Sequence, residues 1–264
     1  MSTASKGTAL ITGASAGIGA VYADRLIKRG YDLILVARNE KLLKEVAAKI
    51  AVPGRTVTTL AADLANKESL KQVEKVLRED ASITLLVNNA GVGSVASILK
   101  DNVEEMDAMI ALNITALTRL TYAVAPAFVA RGTGTIVNIS SVVGIAVEML
   151  NGVYSASKSY VLSFGHTLQR DLADKGVRIQ SVLPGATATD FWDVAGYAPQ
   201  KEGANTMRAT DLVDAALAGL DKGELVTIPG LQDADAQDWT QWEEGRRAIS
   251  KKFSHAKPGA RYGV

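Results

Sequence analysis
The residues of this 264-residue chain best equipped for chemistry are Tyr154 and Lys158, one helical turn apart in Tyr154-Ser155-Ala156-Ser157-Lys158. Positions i and i+4 of a helix share a face, so a phenol and an ammonium can act in one cleft. A free phenol titrates near pH 10, too high for efficient proton exchange at neutral pH, and a nearby cation favours its ionised form. Lys158 is therefore expected to draw Tyr154 toward working pH, making it a general acid and base, a role contributing about 10²–10⁴-fold in rate. A second group, Thr12-Gly13-Ala14-Ser15-Ala16-Gly17-Ile18-Gly19, suits an anion. Glycines let the backbone turn and let a pyrophosphate approach main-chain N–H groups, while the following helix N-terminus adds partial positive charge. Gly13, Ser15, Gly17, Ile18 and Gly19 are the expected contacts, although G-x-x-x-G-x-G is not the commonest dinucleotide spacing, G-x-G-x-x-G.

The next strand ends Val36-Ala37-Arg38-Asn39. An NAD site usually has an acidic residue about 20 positions beyond the glycines for the ribose 2′-hydroxyl, whereas an arginine there accommodates a 2′-phosphate. Ala37 stands where that carboxylate would be, and the planar fork of Arg38 suits a phosphate, so NADP(H) is expected in preference to NAD(H). Arg38 as a solvated helix-entry charge is the alternative.

These groups need a frame. Short apolar runs at Thr8 to Thr12, Asp32 to Ala37, Thr56 to Ala61, Thr84 to Asn88, Gly134 to Ser140, Arg178 to Leu183 and Glu224 to Ile228 read as buried strands. Between them, Ile18 to Arg29, Glu40 to Ala51, Lys67 to Arg78, Val103 to Ala130, Tyr154 to Asp174 and Asp211 to Leu220 have helical spacing. Strand–helix alternation with about seven strands predicts an α/β, doubly wound parallel sheet of Rossmann type in a single domain over 1–264, with its ligand site beyond the carboxyl ends of the strands. Two stretches break the rhythm. Residues 186–208 are expected to form a substrate loop, and the polar stretch 232–264 a surface appendage or subunit contact.

Composition narrows the function. With 29 basic and 28 acidic side chains the net charge is +1, which offers no global field for nucleic acid or an anionic membrane. The absence of cysteine excludes disulfides and thiolate chemistry, and two histidines are too few for a histidine-based metal site, so metal-free chemistry is expected. The short polar N-terminus lacks a secretory apolar segment, and no run is read as approaching the roughly 20 apolar residues of a membrane span, so a cytoplasmic location is expected.

Further residues sit in a telling order: Asn88-Asn89-Ala90-Gly91 after the fourth strand, Asn113 in the next helix, Ser140-Ser141 closing the fifth strand, and Pro184-Gly185 closing the sixth. Together with Gly13-x-x-x-Gly17-x-Gly19 and Tyr154-x-x-x-Lys158, these make the chain resemble the short-chain dehydrogenase/reductase family from Thr8 to about Ile228. The resemblance leads to Ser141 as the catalytic serine, 13 positions before Tyr154, with Ser140 the fallback. It implies that Tyr154 protonates a carbonyl oxygen as a hydride arrives from a nicotinamide, and that Ser141 hydrogen-bonds the same oxygen. It also implies that Lys158 holds the nicotinamide ribose and that Asn113 supports a water-linked proton relay to Lys158. By the same resemblance Asp63 and Leu64 would contact the adenine, and Asn89, Ala90 and Gly91 the adenosine ribose side. Pro184 and Gly185 would contact the cofactor, with Thr187 and Thr189 reaching the carboxamide and the phosphates. Asp63 equally suits a helix cap.

If Val142, Val143, Leu150, Phe191, Trp192 and Tyr197 face the nicotinamide, the pocket is largely apolar and suits a small-molecule substrate, a ketone or aldehyde with a hydrophobic body, reduced reversibly to an alcohol. Non-redox epimerisation or dehydration on the same cofactor, and a catalytically silent dinucleotide sensor, are the competing readings. The intact Tyr154/Lys158 pair weighs against the sensor. Resemblance further implies a homodimer or homotetramer built on the helices 103–130 and 154–174.

Overall fold
Strand β1, Thr8–Thr12, is buried along its whole length because it has neighbours on both sides and helices on both faces. β2 (Asp32–Ala37) pairs with it in parallel on one side, and β4 (Ile83–Asn88) on the other. β3 (Val57–Ala61), β5 (Gly134–Ile139), β6 (Val177–Val182) and the short β9 (Val226–Thr227) complete a seven-stranded sheet of order β3-β2-β1-β4-β5-β6-β9, parallel throughout. The winding direction reverses between β1 and β4, and such a switch point opens a crevice at the carboxyl ends of the two strands. The structure, a computed structural model, describes residues 5–196, 205–253 and 256–263.

Two-residue periodicity sorts the strand side chains between two cores. Ala9, Ile11, Leu33 and Leu35 face α1 (Gly17–Lys28) and α8 (Ala209–Lys222), against Tyr22, Leu26, Val213 and Leu217. Leu10, Ile34, Val36 and Leu86 face the other way, onto Val73 and Leu77 of α3 (Lys67–Glu79) and Leu120, Val124 and Phe128 of α5 (Leu117–Arg131). The remaining crossover helices are α2 (Glu40–Ile50), α4 (Val103–Ile110) and α6 (Gly152–Leu172).

Expected elements and observed ones differ most at three places. The helical run 103–130 is not uniform: a π-helical segment, Ala111–Ala116, joins α4 to α5. There the Asn113 side chain is tied to the distant Val92 backbone, and Thr118 Oγ1 donates to the Ile114 carbonyl at 2.8 Å, so side-chain partners accompany the departure from the α-helical ladder. That 103–131 run is also, by length and a hydropathy of 1.3, apolar enough to cross a membrane, contrary to expectation; 44% of its most apolar window is buried inside the fold. The stretch 186–208 is partly regular, with β7 (Thr187–Ala188) pairing in parallel with β8 (Met207–Arg208), and a short helix α7 (Phe191–Val194). Finally, the polar C-terminal stretch contains an 18-residue helix, α9 (Ala236–Phe253), whose few large apolar residues, Trp239, Trp242, Ile249 and Phe253, share one narrow face of an otherwise polar sequence.

The chain divides into two compact units, Met1–Pro229 and Gly230–Val264. The first holds the sheet and every expected site residue; of these, Tyr197 lies outside the described residues. In the second, Trp239 and Trp242 stack at 5.1 Å, with Arg246 over the Trp242 ring.

Candidate active site
The glycine turn joins β1 to α1 at the switch point. Gly13 and Gly17 have φ of +67° and +53°, which side chains with a Cβ rarely adopt. Gly19 is needed for space, since a Cβ there would stand 2.6 Å from Asn89 Nδ2 and closer still to the Gly13 carbonyl oxygen. The N-cap of α1 is Ala16, with no side-chain oxygen to cap the helix and no acidic residue in the first turn. The first N–H groups of α1 thus remain available to an anion. Asn89 holds this turn from the β4 side: its Nδ2 donates to the carbonyls of Thr12 (2.9 Å) and Gly13 (3.2 Å). Thr12 Oγ1 receives the N–H groups of Asn89 and Ala90, each at 3.0 Å.

Across the crevice, α6 begins at the N-cap Asn151, so Tyr154 and Lys158 occupy its first two turns. Both are buried, and Lys158 Nζ lies 5.7 Å from the centre of the Tyr154 ring while donating to the Ile139 carbonyl at 3.0 Å. Burial pushes the Tyr154 phenol up to about 12, with the Ser141 side chain pulling in the opposite direction. Burial also pushes Lys158 down to about 8. The expectation that the lysine sets the phenol near neutrality is therefore not met by this arrangement. Desolvation dominates both groups, and the amine's own hold on its proton is weakened.

The adjacent serines divide their work. Ser140 Oγ donates to the Lys158 carbonyl at 2.7 Å, fixing the helix to β5. Ser141 Oγ donates a long bond, 3.2 Å, to the Pro184 carbonyl, accepts the Val143 N–H at 3.3 Å, and stands on the cavity side next to Tyr154. Asn113 lies behind the cavity wall, its Oδ1 accepting Val92 N–H (3.0 Å) and its Nδ2 donating to Val92 O (2.9 Å) and Ser157 Oγ (3.1 Å). A Cβ at Gly91 would lie 3.1 Å from Asn113 Oδ1 and 3.5 Å from Lys158 Nζ, so the bare glycine leaves room where the two approach.

A cavity of about 630 Å³ runs from the glycine turn to Tyr154. It brings together Gly13, Gly17, Ile18, Asn89, Ala90, Gly91, Ser141, Tyr154, Lys158, Pro184, Gly185, Thr187 and Thr189, and the apolar wall of Val142, Val143, Leu150, Phe191 and Trp192. Ser15, Gly19, Arg38, Asp63, Leu64 and Asn113 do not line it. Arg38 is exposed just beyond β2, and among the described residues nothing hydrogen-bonds or pairs with its guanidinium. Asp63 Oδ1 accepts Ala65 N–H at 3.0 Å, closing its own turn, and Leu64 is buried in the core.

Sequence reasoning missed Val95, Met149, Asp190 and Gly93. Asp190 lines the cavity at the head of α7, while Gly93 matters because a Cβ there would collide with the Phe191 ring, whose centre lies 5.7 Å from that of Tyr154. The run Gly91-Val92-Gly93 is the one signal in the sequence that a ring is accommodated there.

A sequence profile of the short chain dehydrogenases matches residues 7–198. Among solved structures, a short-chain dehydrogenase from Sphingobium yanoikuyae in complex with NADPH is 44% identical, covering 97% of this chain and all of that one, with a TM-score of 0.92. The bulky-bulky ketone specific alcohol dehydrogenase from Comamonas testosteroni is 40% identical, covering 97% of this chain and 98% of that one, with a TM-score of 0.88. A Staphylococcus epidermidis diacetyl reductase, (S)-acetoin forming, is 33% identical over 188 residues, 70% of this chain and 73% of its own length. Profile, fold and relatives agree with the order of motifs around the crevice: this chain is an oxidoreductase of the short-chain dehydrogenase/reductase family.

Proposed function
We propose that this enzyme is an NADP(H)-dependent carbonyl reductase, acting reversibly as an alcohol dehydrogenase on ketones and aldehydes with hydrophobic bodies. The observation that carries this reading is the Tyr154 phenol, buried at the end of a cavity that begins at the glycine turn and is walled by Val142, Val143, Leu150, Phe191 and Trp192.

The cradle suits a dinucleotide phosphate, with two left-handed glycines and an uncapped helix start. Arg38, exposed and unpaired among the described residues, would receive a 2′-phosphate, and the complex with NADPH of the Sphingobium relative supports that preference. When bound, the nicotinamide supplies or accepts the hydride. The chain's own part is proton delivery. With its pKa pushed up to about 12, Tyr154 stays protonated at neutral pH and can give its Oη proton to the carbonyl oxygen as negative charge develops there. Ser141 Oγ, turning from its long bond to Pro184, donates a hydrogen bond to the same oxygen. An ammonium carries three N–H donors, of which Lys158 uses one on Ile139, leaving the others for ribose hydroxyls. Asn113 would support proton resupply toward Lys158. The Comamonas relative's ketone specificity supports the hydrophobic substrate class.

We further read the chain as a homodimer or homotetramer joined through the faces of α5 and α6. The reductase reading is tested by following NADPH and NADH separately over a panel of hydrophobic ketones, aldehydes and charged keto acids, with wild type and Tyr154→Phe. Consumption that prefers NADPH and hydrophobic ketones and falls about 100-fold or more in the variant is expected. Activity within about tenfold of wild type in Tyr154→Phe overturns the mechanism, and much better turnover of small keto acids overturns the substrate class.

A further inference from the structure
The segment from Val92 to Asp101 contributes Val95 to the cavity wall, and it is held at both ends by asparagines. The near end is held by Asn113 through Val92. The far end is held by Asn151, a buried residue that belongs to the head of the catalytic helix. Asn151 Oδ1 accepts the N–H of Val153 (2.9 Å) and of Tyr154 itself (3.2 Å). Its Nδ2 donates to the Ala96 carbonyl at 2.9 Å and to the Asp101 carboxylate. Asp101 in turn accepts Ser94 Oγ at 3.1 Å, and Ser94 Oγ receives the Ala96 N–H at 3.0 Å. Both amide hydrogens of Asn151 and two acceptor sites on its oxygen are engaged, which leaves it a single orientation. A serine, threonine or aspartate would cap the helix equally well. Only an amide also donates twice to the wall.

We propose that Asn151 is a positioning residue that fastens the substrate wall 94–101 and the Tyr154 backbone into one rigid unit, so that the fit of substrate against the wall sets where the phenol stands. The proposal rests on Tyr154 being the proton donor. Misplacement of a reacting group by about 1 Å can lower a rate about 10²-fold, so the coupling is large enough to measure.

The test exploits the two halves of the amide. Asn151→Asp keeps an oxygen for the N-cap but loses both donors, and sets a carboxylate against Asp101, where the pair persists only while it shares a proton. At about pH 8 this variant is expected to lose tenfold or more in kcat for ketone reduction, with a raised ketone KM, an NADPH KM within about twofold of wild type, and partial recovery toward about pH 6. Adding Asp101→Asn reverses the donor and acceptor and is expected to restore most of the rate at about pH 8. Hydrogen exchange of the 94–101 amides follows the same pattern, faster in the single variant and slowed again in the pair. A wild-type rate in Asn151→Asp, or a folded double variant that restores neither rate nor exchange, overturns the proposal. If the wild-type enzyme reduces no ketone, the reductase reading fails separately, and unchanged exchange over 94–101 in Asn151→Asp then overturns the coupling on its own.

Discussion
At Tyr154 two effects oppose each other: burial raises the phenol's pKa to about 12, and the Ser141 side chain lowers it. Under the proposed mechanism the neutral phenol is a loaded acid for reduction, and Tyr154→Phe should lower kcat by about 10²–10⁴-fold while NADPH still quenches intrinsic fluorescence on binding. Lys158 makes the opposite trade. Its folded pKa is lowered from 10.5 to about 8, so the unfolded chain binds more protons between those values. The amine therefore penalises folding at neutral pH, and stability from this group rises as pH climbs through that window. Lys158→Met should stabilise the protein by about 1–3 kcal/mol near neutral pH, with the gain vanishing above the unfolded pKa, while abolishing reduction. Urea melts at the two pH values check the sign. For the wild type, kcat/KM for reduction should fall as pH rises through about 8, where Lys158 loses its charge; an unchanged rate across that window would show the charge is not needed. Arg38→Asp should raise the NADPH KM by about tenfold or more and leave the NADH KM nearly unchanged, because only the former carries the 2′-phosphate.

At the scale of elements, the turn between β1 and α1 illustrates how tightly the frame controls the site. Gly19→Ala would drive a Cβ into the Gly13 carbonyl and the Asn89 amide that holds the turn. Overpacking of this kind costs about 1–3 kcal/mol, and NADPH affinity is expected to fall at least tenfold, read by titration alongside a thermal melt. The π-helical segment 111–116 is a comparable device on the other side of the crevice, since it is where Asn113 reaches back to Val92 and forward to Ser157. Its sequence, Ala-Leu-Asn-Ile-Thr-Ala, continues the helical spacing of its neighbours, and nothing local distinguishes an α from a π register. The tie to Val92 is a long-range partner that no window of sequence contains.

For the molecule as a whole, the outer faces of α5 and α6 carry Tyr122, which is 70% exposed, stacked at 6.3 Å on Phe164, itself 5.7 Å from Tyr160. An exposed ring stacked on half-buried ones in this way suits burial against a second copy. Light scattering behind gel filtration is expected to give the mass of a dimer or tetramer, and Tyr122→Glu to shift it downward; a monomeric wild type would overturn the homo-oligomer reading.

The sheet was legible because its central strands, β1 and β2 foremost, are buried on both faces and so read as apolar runs whatever their neighbours are, and Thr8–Thr12 and Asp32–Ala37 coincide with the runs expected. The glycine turn and the Tyr154/Lys158 pair were legible because their geometry is local, spanning one turn or one helical step. What only the tertiary structure decided depends on contacts between distant segments. The strand order puts β4 beside β1 and so closes Asn89 onto the glycine turn. Burial at that junction, which no spacing encodes, reverses the direction expected for the Tyr154 pKa. The docking of Phe191 on Gly93 and the fastening of Ala96 and Asp101 by Asn151 likewise join residues dozens of positions apart, and it is those joints that shape the wall against which a substrate would lie.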